Sequence, residues 1–202
     1  MQLDNDSFLT ISRESSGLYK EKGSRFLYFS FPVENEEEVK AKLAHLRKIH
    51  FDARHHCYAW VLGQKGTMFR ANDDGEPNHS AGDPILGQIR SHQLTNLLIV
   101  VIRYFGGTKL GISGLIQAYK ASAALAIEEN EIIEKKVMGL LTIQFEYLQM
   151  NDVMKIIKTE NLEIKNQELG LECQLKLEMR RGILELVTEK LKSVDGLVIK
   201  SD

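Results

Sequence analysis

The chain has 202 residues, enough for one large domain or two modest ones, each able to bury a real core. Its 26 Lys and Arg stand against 28 Asp and Glu, divided 17 to 17 over residues 1–136 and 9 to 11 over residues 137–202. Net charge therefore announces no nonspecific polyanion binder, and any basic patch has to come from arrangement. Two distant cysteines, Cys57 and Cys173, imply no disulfide framework and fit a reducing cytoplasm. The longest apolar run is six residues, which excludes a spanning helix, and the mixed, charged N-terminus carries no secretory signal. A cytoplasmic protein without membrane contact is expected.

In chain order, Phe8 to Ile11, Gly17 to Lys20 and Arg25 to Val33 read as strands divided by turns at Ser15-Ser16-Gly17 and Gly23-Ser24. Asn35 is a good N-cap, Glu36 to Glu38 suit a first turn and Arg47, Lys48 and His50 a last one, which predicts a helix. Val39, Leu43, Leu46 and Ile49 recur at spacings of four and three and give it one buried stripe. A strand from His55 to Leu62 turns at Gly63-Gln64-Lys65-Gly66 into a second, Thr67 to Ala71. The segment from Asn72 to Pro84 is the most turn-rich, and Asp83-Pro84 suits the start of a short helix. Leu97 to Ile102 is an unbroken apolar run, as in a strand buried on both faces. Four glycines follow (Gly106, Gly107, Gly111, Gly114), with Ser113 as cap of a helix from Leu115 to Glu129. Glu128 to Lys136 reads as a charged boundary.

Beyond Val137 the pattern is clean. Leu141, Ile143, Phe145 and Tyr147 alternate with polar residues as in a half-buried strand, and Val153, Ile156 and Ile157 give a helix face. Leu162 to Gln167 and Leu171 to Met179 read as strands joined at Gly170. A helix from Arg181 to Lys192, with Leu184, Val187 and Leu191 inward, and a last strand after Gly196 complete it. The order βαββαβ is that of a ferredoxin-like split βαβ domain.

Three constellations carry chemistry. Gly106, Gly111 and Ser113 have phosphate-loop spacing between a strand and a helix, but position 112 is Ile where the loop Lys belongs, and Lys109 comes three residues early. That argues against a nucleotide triphosphatase and leaves anion binding by loop and helix N–H groups, with Arg103 and Lys109 adding charge; tight strand–helix contact is the alternative reading of the same glycines. Gly111 to Gly114 also fits the G-x-x-G of KH domains, which joins two helices and is discounted here. In DDGEP, Asp73, Asp74 and Glu76 are a candidate hard-cation or general-base group, yet Asp, Gly and Pro are equally what turns require. His55 and Cys57 fall on one strand face and His56 on the other, so His55, Cys57 and His79 are weighed as a zinc site or a thiol–His pair. No C-x-x-C or H-x-x-x-H pair supports a metal, and a buried Cys is commonly a small hydrophobe. The strand aromatics Tyr28, Phe29, Phe31, Tyr58 and Trp60 are read as core.

On HHCYAW, DDGEP with SAGDPIL, and VVIRYFGGTKLGISGLIQAY the sequence resembles the YigZ/IMPACT family over almost its whole length. The resemblance implies an α+β protein of two domains. Residues 1–136 would be an IMPACT-type N-terminal domain of the ribosomal-protein-S5-domain-2-like fold. Residues 137–202 would be a ferredoxin-like βαββαβ domain resembling the last domain of elongation factor G. The family's eukaryotic members regulate translation through protein contacts. One departure stands out: after Gly75-Glu76-Pro77 the family commonly has Ser-Gly-Thr, and this chain has Asn78-His79-Ser80.

The expectation is therefore a non-enzymatic, translation-associated factor, monomeric and without cofactor or metal, that binds ribosome or structured RNA. Arg103, Gly106, Gly107, Lys109, Gly111, Ser113, Gly114 and Lys120 would make the anion contacts, and Asp73, Asp74, Glu76 and His79 form a second candidate site. An enzyme or sensor taking a small phosphorylated ligand at Gly106–Gly114 is the alternative, and a protein-interaction module binding a regulatory protein a further one.

Overall fold

The computed structural model describes residues 6–200. The chain forms two compact units: Phe8–Lys135, and the described residues before Phe8 together with those from Lys136 onward. It is an α+β protein, and each unit has its own apolar core.

The first unit is built on an antiparallel sheet. Strands β2 (Ser15–Glu21), β3 (Ser24–Pro32), β4 (His55–Leu62), β5 (Met68–Asn72) and β6 (Leu97–Tyr104) lie in the order β2-β3-β6-β4-β5. Central β6 is why its sequence does not alternate: Leu97 to Ile102 are all fully buried. Leu98, Val100 and Ile102 join Phe31, Trp60 and Leu46 of helix α1 (Glu36–Ile49) on one face. Leu97, Ile99 and Val101 meet Ile85 of α2 (Gly82–Ser91) and Ala118, Tyr119 and Ala123 of α3 (Gly111–Glu128) on the other. Each such side chain contributes about 1.5–3 kcal/mol by leaving water. Tyr28, Phe31, Tyr58 and Trp60 are core residues, as expected, and Phe29 is half-buried.

Several local details differ from the sequence reading. Ser15 to Gly17 is strand rather than turn: Ser15 pairs with Ser30, and a Cβ on Gly17 would lie 2.2 Å from the Tyr28 hydroxyl, so glycine there makes room for the ring. The turn is Lys22-Gly23, both at positive φ (45° and 83°), as a two-residue hairpin requires. Asn35 caps α1 by accepting from the Glu38 N–H at 2.9 Å, but Ile49, the last helical residue, is 53% exposed. Asp83 is not the cap of α2, which begins one residue before it, at Gly82. Asp73 does that work from a distance, its Oδ1 accepting from the N–H groups of Ala81 (2.9 Å) and Gly82 (2.8 Å). Nor does Ser113 cap α3, which begins at Gly111; Ser113 lies in its first turn. The charged stretch read as a boundary contains β7 (Ile132–Lys136), which pairs with β1 (Ser7–Ile11) in a two-stranded sheet.

The second unit runs β8 (Met138–Glu146), α4 (Met150–Thr159), β9 (Glu163–Glu168), β10 (Glu172–Arg180), α5 (Leu184–Lys192) and β11 (Val198–Lys200). The sheet order is β11-β8-β10-β9 with every neighbour antiparallel, the ferredoxin-like βαββαβ arrangement. Ile143, Phe145, Cys173, Leu175 and Leu177 meet Val153, Ile157, Val187 and Leu191 in its core. Tyr147, the last residue of the predicted alternation, instead lies 63% exposed in a 3₁₀ turn.

Candidate functional site

At one end of the five-stranded sheet, β6 runs out at Tyr104 and the chain crosses to α3 through Phe105–Leu110. Two glycines fix this loop against the Lys22-Gly23 turn. A Cβ on Gly106 would lie 1.8 Å from the carbonyl carbon of Gly23, so only glycine permits that approach. The Gly106 N–H donates to Ser24 Oγ at 3.2 Å. Gly111 starts α3 at φ +70°, and the helix has no side-chain cap and no acidic residue in its first turn. Its first N–H groups therefore present positive partial charge to whatever approaches.

The DDGEP loop closes the other side. Glu76 is 8% exposed, and its Oε1 accepts from Arg103 (2.8 Å) and from the Tyr119 hydroxyl (2.8 Å). Arg103 is equally buried, and its guanidinium lies near the rings of Phe26 (5.6 Å) and Phe105 (5.7 Å), while its Nε has no partner. Burial pushes the Tyr119 phenol well above its ordinary range, helped by Cys57 and Glu76, so it stays protonated and donates. The Cys57 Sγ lies 3.0 Å from the Asp73 carbonyl and 3.3 Å from the Tyr119 hydroxyl. Burial pushes this thiol strongly up as well, which makes it a quiet hydrogen-bond donor rather than a nucleophile.

Most of the second candidate group serves the loop's own shape. Asp73 holds three N–H groups, those of His79, Ala81 and Gly82. Burial opposes its charge, but these donors prevail and keep the carboxyl below the ordinary range. Asp74 takes the His56 N–H at 2.7 Å and pairs with Arg47 at 2.9 Å. His55 sits with Nδ1 3.0 Å from the Asp74 carbonyl. His79 points into none of this: its side chain is 80% exposed and pairs with Asp83 at 2.6 Å. Its φ of +64° lies in the left-handed region that glycine adopts at least cost. His55, Cys57 and His79 thus do not converge, and among the described residues no group of three or more His, Cys, Asp or Glu could hold a metal ion.

What the fold brings together is the two loops. Glu76, Pro77, Arg103, Phe105, Lys109, Gly111, Ile112 and Leu115 line a cleft of about 260 Å³. Around it, Lys20 is registered opposite Arg25, Arg25 opposite Tyr104, and Arg103 opposite His55 beside Arg54. With Lys22 in the docked turn and Lys109 in the loop, this end gathers cations from several segments, beside the acidic Glu21, Asp52 and Glu76. Lys120 is not part of it: exposed on α3, it lies nine residues past Gly111, roughly 14 Å along the axis. Phe105, 61% exposed, and Tyr119 were missed by sequence reasoning. The aromatic inside the glycine run was the available signal for the first, and nothing local marked the second.

An α+β unit with a glycine loop between its central strand and an uncapped helix, closed by a DDGEP turn, defines the class. Residues 22–127 match the Impact N-terminal domain, and the chain belongs to that family. It is 34% identical over 185 residues to an IMPACT family member of Haemophilus influenzae, spanning 89% of each chain. It is 31% identical over 159 residues to IMPACT family member YvyE of Bacillus subtilis, spanning 79% of this chain and 73% of that one. A crystal structure of a hypothetical protein matches 98% of both chains at 28% identity with a TM-score of 0.71.

Proposed function

We propose that the protein is a cytoplasmic, translation-associated regulatory factor that contacts ribosomal or other structured RNA through the glycine-loop end of its first unit. Family membership supports the translational setting through what the resemblance implies, translational regulation by the family's eukaryotic members. The observation that carries the RNA contact is the strand register that brings Lys20, Arg25 and Arg54 to the end of the sheet where the Lys22 turn meets the loop of Lys109, in a chain with no net positive charge. Such contacts release counterions, so affinity falls steeply with salt.

Co-sedimentation with ribosomes at low and moderate salt tests this, beside a Lys22→Ala, Arg25→Ala, Lys109→Ala variant; all three residues are exposed, so the fold is spared. Salt-sensitive pelleting that the variant loses is expected. No pelleting at either salt by a folded protein overturns the reading, and pelleting indifferent to the variant moves the contact to protein. The cleft of about 260 Å³ beside Arg103 and Lys109 favours a second reading, a sensor or enzyme for a small phosphorylated ligand. A panel of nucleotides and sugar phosphates would then raise the melting temperature by mass action on the native state.

A further inference from the structure

The cleft has a composition that the charges around it do not explain. One wall is apolar, made by Phe105, Ile112 and Leu115, while the Glu76–Arg103 pair, Lys109 and the start of α3 at Gly111 supply its polar edge. Phe105 is 61% exposed, and Ile112 is 59% exposed, so the wall is open to solvent. The Phe105 ring is backed by the Arg103 guanidinium at 5.7 Å, a cation–π contact that holds a flat apolar surface in place. Arg103 itself is fixed by Glu76 through one nitrogen, and its buried Nε–H is left without an acceptor. A planar apolar face beside an anion matches the exposed Phe105 ring and the Lys109 side of this cleft.

We infer that the cleft takes one unpaired nucleotide of an RNA strand, its base against Phe105 and its phosphate at the N-terminus of α3 beside Lys109. This rests on the RNA-contact reading above and makes it specific. A volume of about 260 Å³ suits a single nucleotide rather than a helical surface. In a duplex, moreover, each base face is covered by its neighbours, so Phe105 has nothing to stack on. Helix N–H groups and Lys109 hold a phosphate in any sequence, and aromatic stacking accepts any base, so recognition is of strandedness rather than of sequence.

The test is fluorescence anisotropy on the full chain with a labelled single-stranded RNA of about ten mixed-sequence nucleotides and a blunt duplex of the same sequence. The single strand should bind more tightly. Phe105→Ala should weaken it about 5- to 100-fold, and Phe105→Trp, which keeps the stacking face, should restore it. Lys109→Ala should reduce the salt slope by roughly 0.7, the share of one phosphate contact in a single strand. Equal binding of duplex and single strand, or indifference to Phe105→Ala while the salt slope still falls in Lys109→Ala, overturns the nucleotide cleft and leaves the RNA contact standing. Adenosine monophosphate competing as well as the strand would overturn it in favour of a free small ligand. Failure to bind either RNA overturns it too, and ribosome co-sedimentation then decides separately whether the translational reading survives.

Discussion

Glu76 is buried between a guanidinium and a phenol, accepting from Arg103 and from Tyr119. Glu76→Ala would leave the Arg103 charge buried and unpaired, and a loss of about 3–5 kcal/mol in urea denaturation is expected. A loss below about 1 kcal/mol would show that water reaches the guanidinium. Cys57 should resist a thiol reagent at pH 8 in the native protein and react fully once denaturant is added, because burial holds it protonated. Asp73 carries a pH signature. Its folded carboxyl is more acidic than the unfolded one, so its stabilisation is complete above the unfolded value, about 3.9, and fades as pH falls through the folded value. The stability gap between the wild type and Asp73→Asn should therefore be constant near neutrality and close from about pH 4 downward. A gap that widens in acid would contradict the assignment.

At the scale of elements, the glycine loop is held by backbone contact rather than by side chains. Gly106→Ala drives a Cβ into the Gly23 backbone, which no rotamer change relieves. We expect about 1–3 kcal/mol of destabilisation, read as a lower thermal midpoint. Gly107, with positive φ (90°) and nothing near its Cβ position, is constrained by conformation instead. Asn35→Ala should cost α1 about 1 kcal/mol, since its Oδ1 accepts from the Glu38 N–H while the Glu38 carboxylate accepts from the Asn35 side-chain amide and the Glu34 N–H.

For the whole molecule, both partners of the β1–β7 sheet fall largely within residues 8–135 and the core of that unit is complete without the rest. That segment expressed alone should unfold cooperatively in urea. Asp6, by contrast, is joined to the second unit: it accepts from Arg180 at 2.9 Å and from the Gly182 N–H at 3.1 Å. Asp6→Ala should lower the melting transition of the second unit and leave that of residues 8–135 in place. A shift of both transitions would mean that the two units melt together.

The family, the βαββαβ order and most strands were legible in the sequence, because side-chain periodicity and turn chemistry are local and β6 announces a doubly covered strand by its apolar run. The glycine loop was legible as the connection between a core strand and a helix for the same reason. What local sequence could not decide was which polar groups the loops would spend on themselves. Asp73 and Asp74 went to N–H groups and to Arg47, His79 to solvent, and Lys120 to a distant face of α3, through distances that only chain folding sets. Tertiary structure alone paired Glu76 with Arg103 across 27 positions of sequence and set Phe105 beside them. It also gathered cations from separate strands at one end of the sheet. Charge adds along a sequence without regard to place, but an electric field depends on where each charge stands.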